Sequence, residues 1–135
     1  MESKQVLSIE QMQHLQELGM KLDYNTMLSW IVDDRGKDKP LLCISSEALD
    51  YVDFNHYCLP AYTLQDVLDA LPEYIYDSTE QYLLEINMFF KYIRYSRFND
   101  VLTKRNFDRT PIIDAAYELL VWCIENKFVE TDKNE

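Results

Sequence analysis

The sequence predicts an α+β protein: a small antiparallel sheet of about four strands, in two hairpins, with two or three helices packed on one face. Three observations carry that reading. Stretches rich in β-branched and aromatic residues, at 26–45 and 81–97, each divide into a pair of strands. Segments with helical apolar spacing lie apart from those pairs instead of alternating with single strands, which sets aside a parallel βαβ arrangement. Hydrophobic residues make up 47% of 135 positions, enough for one sizeable core, and no linker, repeat or low-complexity tract interrupts them. Residues 1–135 therefore read as a single compact domain.

Taken in order, Ser8 and Gln11 form a capping-box pattern that opens a helix over 9–18. Ile9, Met12, Leu15 and Leu18 give it a narrow apolar stripe, and Gly19 ends it in a left-handed conformation. It is expected to cover an edge or end of the sheet. Thr26 to Val32 and Leu41 to Ser45 form the first hairpin, joined by a charged connection containing Gly36, with Pro40 at the start of the second strand. Glu47 to Cys58 shows no clean period and reads as loop with about one turn of helix. Thr63 and Asp66 form a second capping box; Leu64, Val67, Leu68 and Leu71 line one face, and Pro72 closes the helix.

Tyr82, Leu84, Ile86 and Met88 alternate with Glu85 and Asn87, so 81–87 is a strand. A second strand over 91–97 follows through a tight turn near Asn87 to Phe90; one long bulged strand is the alternative. Asn99 to Arg109 is polar and reads as loop. Thr110 as cap and Pro111 as first residue open the last helix, whose only charges are Asp114, Glu118 and Glu125. A helix so apolar belongs at the centre of the core or at a subunit interface. Asn126 is expected to supply its left-handed cap and Phe128-Val129 a closing contact; 130–135 reads as a frayed tail.

Thirteen basic against twenty-four acidic residues leave a net charge of −11, which argues against duplex DNA, RNA or an anionic membrane as partner. The opening carries no apolar run of signal-peptide length, and no stretch reaches the roughly 18 apolar residues that span a bilayer. Three cysteines without a CxxC pair suggest neither a disulfide framework nor a zinc knuckle. The cytoplasm is the expected location.

Chemistry-bearing residues are scattered. Cys43, His56, Cys58 and Cys123 include only one loose pair, so no metal site is expected, and with two glycines no phosphate-binding loop can be written. His56 and Cys58 at i, i+2 could face each other as a catalytic dyad, but no oxyanion-forming turn accompanies them. His14 reads as solvated. Carboxylate pairs such as Asp33-Asp34 or Asp66/Asp69 are common in so acidic a chain. No catalytic, cofactor-binding or metal-binding residue is assigned, and no cofactor.

Residues 91–109 are different. They hold Lys91, Arg94, Arg97, Lys104, Arg105 and Arg109 against Asp100 and Asp108, a charge of +4 in a chain whose remainder is −15. Interleaved aromatics give the segment the composition of a single-strand nucleic-acid platform, but strand alternation splits its charges between two faces. A basic strand in an acidic protein serves more simply to meet acidic groups, its own or a subunit's. Lys91, Tyr92, Arg94, Tyr95 and Arg97 are the expected interaction surface. Segment 61–90, with six acidic residues and no basic one, is raw material for a DNA-mimicking surface.

The blocks Leu7 to Gly19, Leu59 to Pro72 and Ile113 to Asn126, in that order, resemble a group of small proteins without an assigned activity from bacterial prophages and mobile elements. The resemblance implies an intracellular accessory role and assigns no residue. Together these readings lead to a non-enzymatic protein-interaction protein of a phage-like element, with an unidentified protein partner and a homodimer plausible through the last helix. A small enzyme or ligand-binding domain at His56–Cys58, a single-strand nucleic-acid binder at 90–109 and an acidic DNA mimic are the alternatives.

Overall fold

The computed structural model describes residues 4–131. In chain order the elements are α1 (Ile9–Glu17), β1 (Leu28–Asp33), β2 (Leu41–Ile44), α2 (Ser45–Ala48) continuing into a 3₁₀ turn (Leu49–Tyr51), β3 (His56–Pro60), α3 (Leu64–Ala70), β4 (Tyr74–Asp77), β5 (Glu80–Asn87), β6 (Tyr92–Arg97), β7 (Asp100–Asn106) and α4 (Ile112–Glu125). The strands form two antiparallel sheets, ordered β2-β1-β3 and β4-β5-β6-β7. The α+β class and the four-stranded sheet are as predicted. Both predicted hairpins exist, β1–β2 and β5–β6, but they lie in different sheets.

Three strands occupy segments read as loop or left unassigned. β3 shows only a short alternation before Pro60. It is a strand because it pairs with β1, Trp30 opposite Leu59 and Asp33 opposite His56. β4 is four residues long, below the length at which periodicity speaks. β7 is an edge strand with only Thr103 buried, so its sequence is polar for the same reason that its surface is wet. The expected turn of helix between 47 and 58 is α2 with its 3₁₀ extension.

Local chemistry explains where the chain bends. Ser8 and Thr63 each accept a hydrogen bond from the backbone N–H three residues on, completing both capping boxes. Gly19 has φ +94°, and the Met20 N–H reaches back to Leu15 O at 3.0 Å, closing α1 as expected. The β5–β6 turn is held by Asn87, whose Oδ1 accepts from the N–H groups of Phe89 (3.0 Å) and Phe90 (2.8 Å). That side chain fixes the turn without an Asn-Gly or Asp-Gly pair. At α4 two expectations need correction. Pro111, not Thr110, occupies the cap position, and the Thr110 hydroxyl donates backwards to Asn106 O at 3.4 Å. The left-handed residue after α4 is Lys127 (φ +66°), not Asn126, and Phe128 N–H bonds Cys123 O at 2.8 Å. Phe128 then stacks on Trp122, the expected closing contact.

The core gathers around α4. Ile113, Ala115, Ala116, Leu119, Leu120, Cys123 and Ile124 are all buried, and α3 and the inner face of the four-stranded sheet pack on them. That inner face supplies Ile75, Tyr82, Ile93 and Tyr95; one face of the three-stranded sheet adds Trp30, Val32 and Leu59 to the same cluster. α1 lies along the edge strand β3 and meets α4 through Gln11, which with Lys4 of the preceding segment donates to Asp114 Oδ1 (3.0 and 2.7 Å). Most of the apolar circumference of α4 is thus covered inside the chain, with Ile112, Tyr117, Val121 and Trp122 half-buried. Of the tail expected to fray, Thr131 is buried and 132–135 lie outside the described residues. No helix among the described residues is long and apolar enough to cross a membrane.

Candidate interaction face

Both faces of the four-stranded sheet carry large apolar or aromatic side chains. Ile75, Tyr82, Ile93 and Tyr95 point to the core. On the other side β4 presents Tyr74 and Tyr76, β5 presents Leu83, and the β6–β7 turn presents Phe98. Leu83 is 56% exposed and Phe98 88%. The two tyrosine rings meet edge-on at 5.7 Å. Tyr76, Leu83 and Phe98 line a depression of about 770 Å³, completed by Gln81, Glu85 and Ser96. Phe98 sits at φ +53°, a left-handed backbone that a bulky side chain resists, and its ring is spent on solvent. The positive φ belongs to the two-residue turn between β6 and β7, but the exposure of the ring has no such account.

The expected surface residues divide here. Tyr95 is buried (0% exposed), and its hydroxyl donates to Pro72 O at 2.6 Å, tying β6 to the end of α3. Strand parity sends it inward, which removes it from the surface. Tyr92 and Arg94 lie on the outer face. Glu85 accepts from the Tyr92 hydroxyl (2.9 Å) and from Arg94 Nε (3.1 Å), and these donors, opposing some desolvation, hold its carboxyl below the usual carboxylate range. The Arg94 guanidinium lies over the Tyr92 ring at 4.4 Å. Arg97 pairs with Glu80. Lys91 occupies the β5–β6 turn at φ +57°. The basic strand meets its own carboxylates, and Tyr92, the aromatic centre of the supposed nucleotide platform, is covered by its own arginine.

A second cluster stands at the end of the three-stranded sheet. Asp33 closes β1 and is buried. Its oxygens accept from Arg35 Nε (3.1 Å) and from the N–H groups of Arg35, Lys37 and Asp38 at 2.8–3.1 Å. The Arg35 guanidinium is the largest cause holding this carboxyl far below its ordinary range. His56 Nδ1 bonds Asp53 Oδ1 at 2.8 Å and Nε2 bonds Asp38 Oδ2 at 2.9 Å, so its pKa is raised, first by Asp53. Asp33, Asp38 and His56 could bring three ligand atoms within 4.8 Å of one another. Asp33 is already saturated by donors, and His56 faces a carboxylate from each ring nitrogen. The arrangement suits an imidazolium that buttresses the β1–β2 loop.

With both its nitrogens so engaged, His56 does not address Cys58, and the dyad of the alternative reading is not assembled. Cys43 and Cys58 are half-buried on the two strands flanking β1. Cys123 is buried in α4, where desolvation pushes its thiol up to about 11. His14 is not merely solvated: its Nδ1 lies 2.6 Å from the Tyr117 hydroxyl. Sequence reasoning missed Tyr74, Tyr76, Leu83 and Phe98, although Tyr74-Ile75-Tyr76 carries a β-type alternation. Compared with known proteins, the chain matches no family model, no curated protein and no solved structure.

Proposed function

We propose that this chain is a non-enzymatic protein-interaction protein, an accessory of a phage-like or mobile element acting in the cytoplasm, and that it binds protein through the outer face of β4–β7. One observation carries the reading: Tyr74, Tyr76, Leu83 and Phe98 stay exposed on one side of a sheet whose other side supplies Ile75, Tyr82, Ile93 and Tyr95 to the core. Exposed apolar residues gathered around a concave patch mark interaction sites more often than they mark free surface. The neighbouring charges favour protein over nucleic acid, because Arg94 and Arg97 are answered by Glu85 and Glu80. The resemblance to mobile-element proteins supports the accessory role.

Affinity capture from nuclease-treated lysate tests this. The expected result is one stoichiometric protein, lost with Leu83→Glu and kept with Phe54→Glu, a fully exposed position preceding β3. Binding instead to a labelled oligonucleotide, weakening steeply with salt, contradicts it. So does rapid alkylation of Cys58 that disappears in His56→Ala, which would restore the enzyme reading.

A further inference from the structure

The sheet ends in an apolar hairpin tip at one end and carries a hollow on its outer face toward the other. Where β5 turns into β6, Met88, Phe89 and Phe90 are consecutive and all exposed, Phe89 at 84%. The two phenylalanine rings meet edge-on at 4.9 Å, and Asn87 fixes the turn beneath them. A tip held this way has little conformational freedom left to lose on docking. The hollow lined by Tyr76, Leu83 and Phe98 lies toward the far end of the same strands. Between them stands the neutral pair Glu85–Arg94.

Resting on the reading of this face as a binding surface, we infer that its occupant is a second copy of the chain, with the hairpin tip of each copy seated in the hollow of the other. A two-fold axis perpendicular to the strands, passing near Glu85 and Arg94, produces this contact twice. The interface is isologous and closes as a dimer, with neither tip nor hollow left to extend a filament. An axis along the strands would set tip on tip and leave both hollows open.

Area and charge both favour this occupant. Tyr74, Tyr76, Leu83, Phe89, Phe90 and Phe98 are between half and nine-tenths exposed. At about 200 Å² for a large side chain they offer roughly 800 Å² per copy, what a standard interface takes from each partner. At −11 per chain, two copies repel one another across most of their surface. On this face the Glu85 carboxylate is paired with Arg94 and Lys104 lies over Tyr92, and Glu80 is paired with Arg97 at the end of the strands, which lowers the repulsion between two anionic copies here.

Sedimentation equilibrium at about 100 μM is expected to give a dimer. Leu83→Glu and Phe89→Glu each shift it to monomer with circular dichroism unchanged, while Phe54→Glu leaves it dimeric. Mixing Phe89→Cys with Leu83→Cys chains, both in a Cys43→Ser, Cys58→Ser background, gives more covalent dimer on oxidation than either alone. A wild-type monomer, dissociation by Phe54→Glu, or crosslinking of Phe89→Cys chains alone as well as in the mixture overturns the inference. A monomer that still captures another protein through Leu83 sinks the dimer and spares the binding face; a dimer with no Leu83-dependent capture of other proteins supports the dimer.

Discussion

Tyr95 and Tyr76 are both strand tyrosines of one sheet, and they serve opposite ends. Tyr95 is buried against α4 with its hydroxyl on Pro72, and Tyr76 stands in solvent beside Leu83. The same contrast separates Ile93 from Leu83. One face of the sheet is explained by folding, because α4 packs on it and Ile75, Tyr82, Ile93 and Tyr95 are enclosed there. The other carries Tyr74, Tyr76 and Leu83 with no element packed over them among the described residues. Residues that cost solubility without adding to the core point to a partner.

The sharpest break between the faces is expected on the buried side. Ile93→Ala removes a fully enclosed side chain and should cost about 2–5 kcal/mol, read from the denaturant midpoint. Tyr95→Phe keeps the ring but leaves Pro72 O without its 2.6 Å donor, and should cost about 1 kcal/mol. A pH-dependent effect is expected at the three-stranded sheet. The raised pKa of His56 means that its charged form stabilises the fold fully below its unfolded value, about 6.5, and that this contribution fades as pH rises through the higher folded value. His56→Gln should therefore flatten the loss of stability on the alkaline side in pH-resolved thermal melts. Asp33 has the opposite sign: its depressed pKa stabilises above the unfolded value and is lost on acidification, so Asp33→Asn should flatten the acid limb.

Much of the scaffold was legible because it is written in local chemistry. Ser8/Gln11 and Thr63/Asp66 are capping boxes whatever surrounds them, and Gly19 ends α1 by the conformation it permits. The apolar circumference of α4 announced a central helix. What escaped was decided by pairing at a distance. β3 becomes a strand by lying beside β1, and β7 is an edge whose exposure erases the apolar alternation that periodicity needs. The outer face was half legible: Tyr92 and Arg94 were placed on a surface, whereas Tyr95 was assigned to the wrong side of the same strand. The stretch from Phe90 to Tyr95 is apolar or aromatic on both faces, so period alone could not say which side is core. The Asp33–His56 network joins residues 23 positions apart, and only the β1–β3 register brings them together.

The central claim is that the outer face serves binding and not folding. Equilibrium denaturation of a Tyr74→Ser, Tyr76→Ser, Leu83→Ser variant tests it most directly. The account predicts stability within about 0.5 kcal/mol per site of the wild type, measured on dilute monomer. A loss of several kcal/mol, comparable to Ile93→Ala, would show that these side chains hold the fold together and would contradict it.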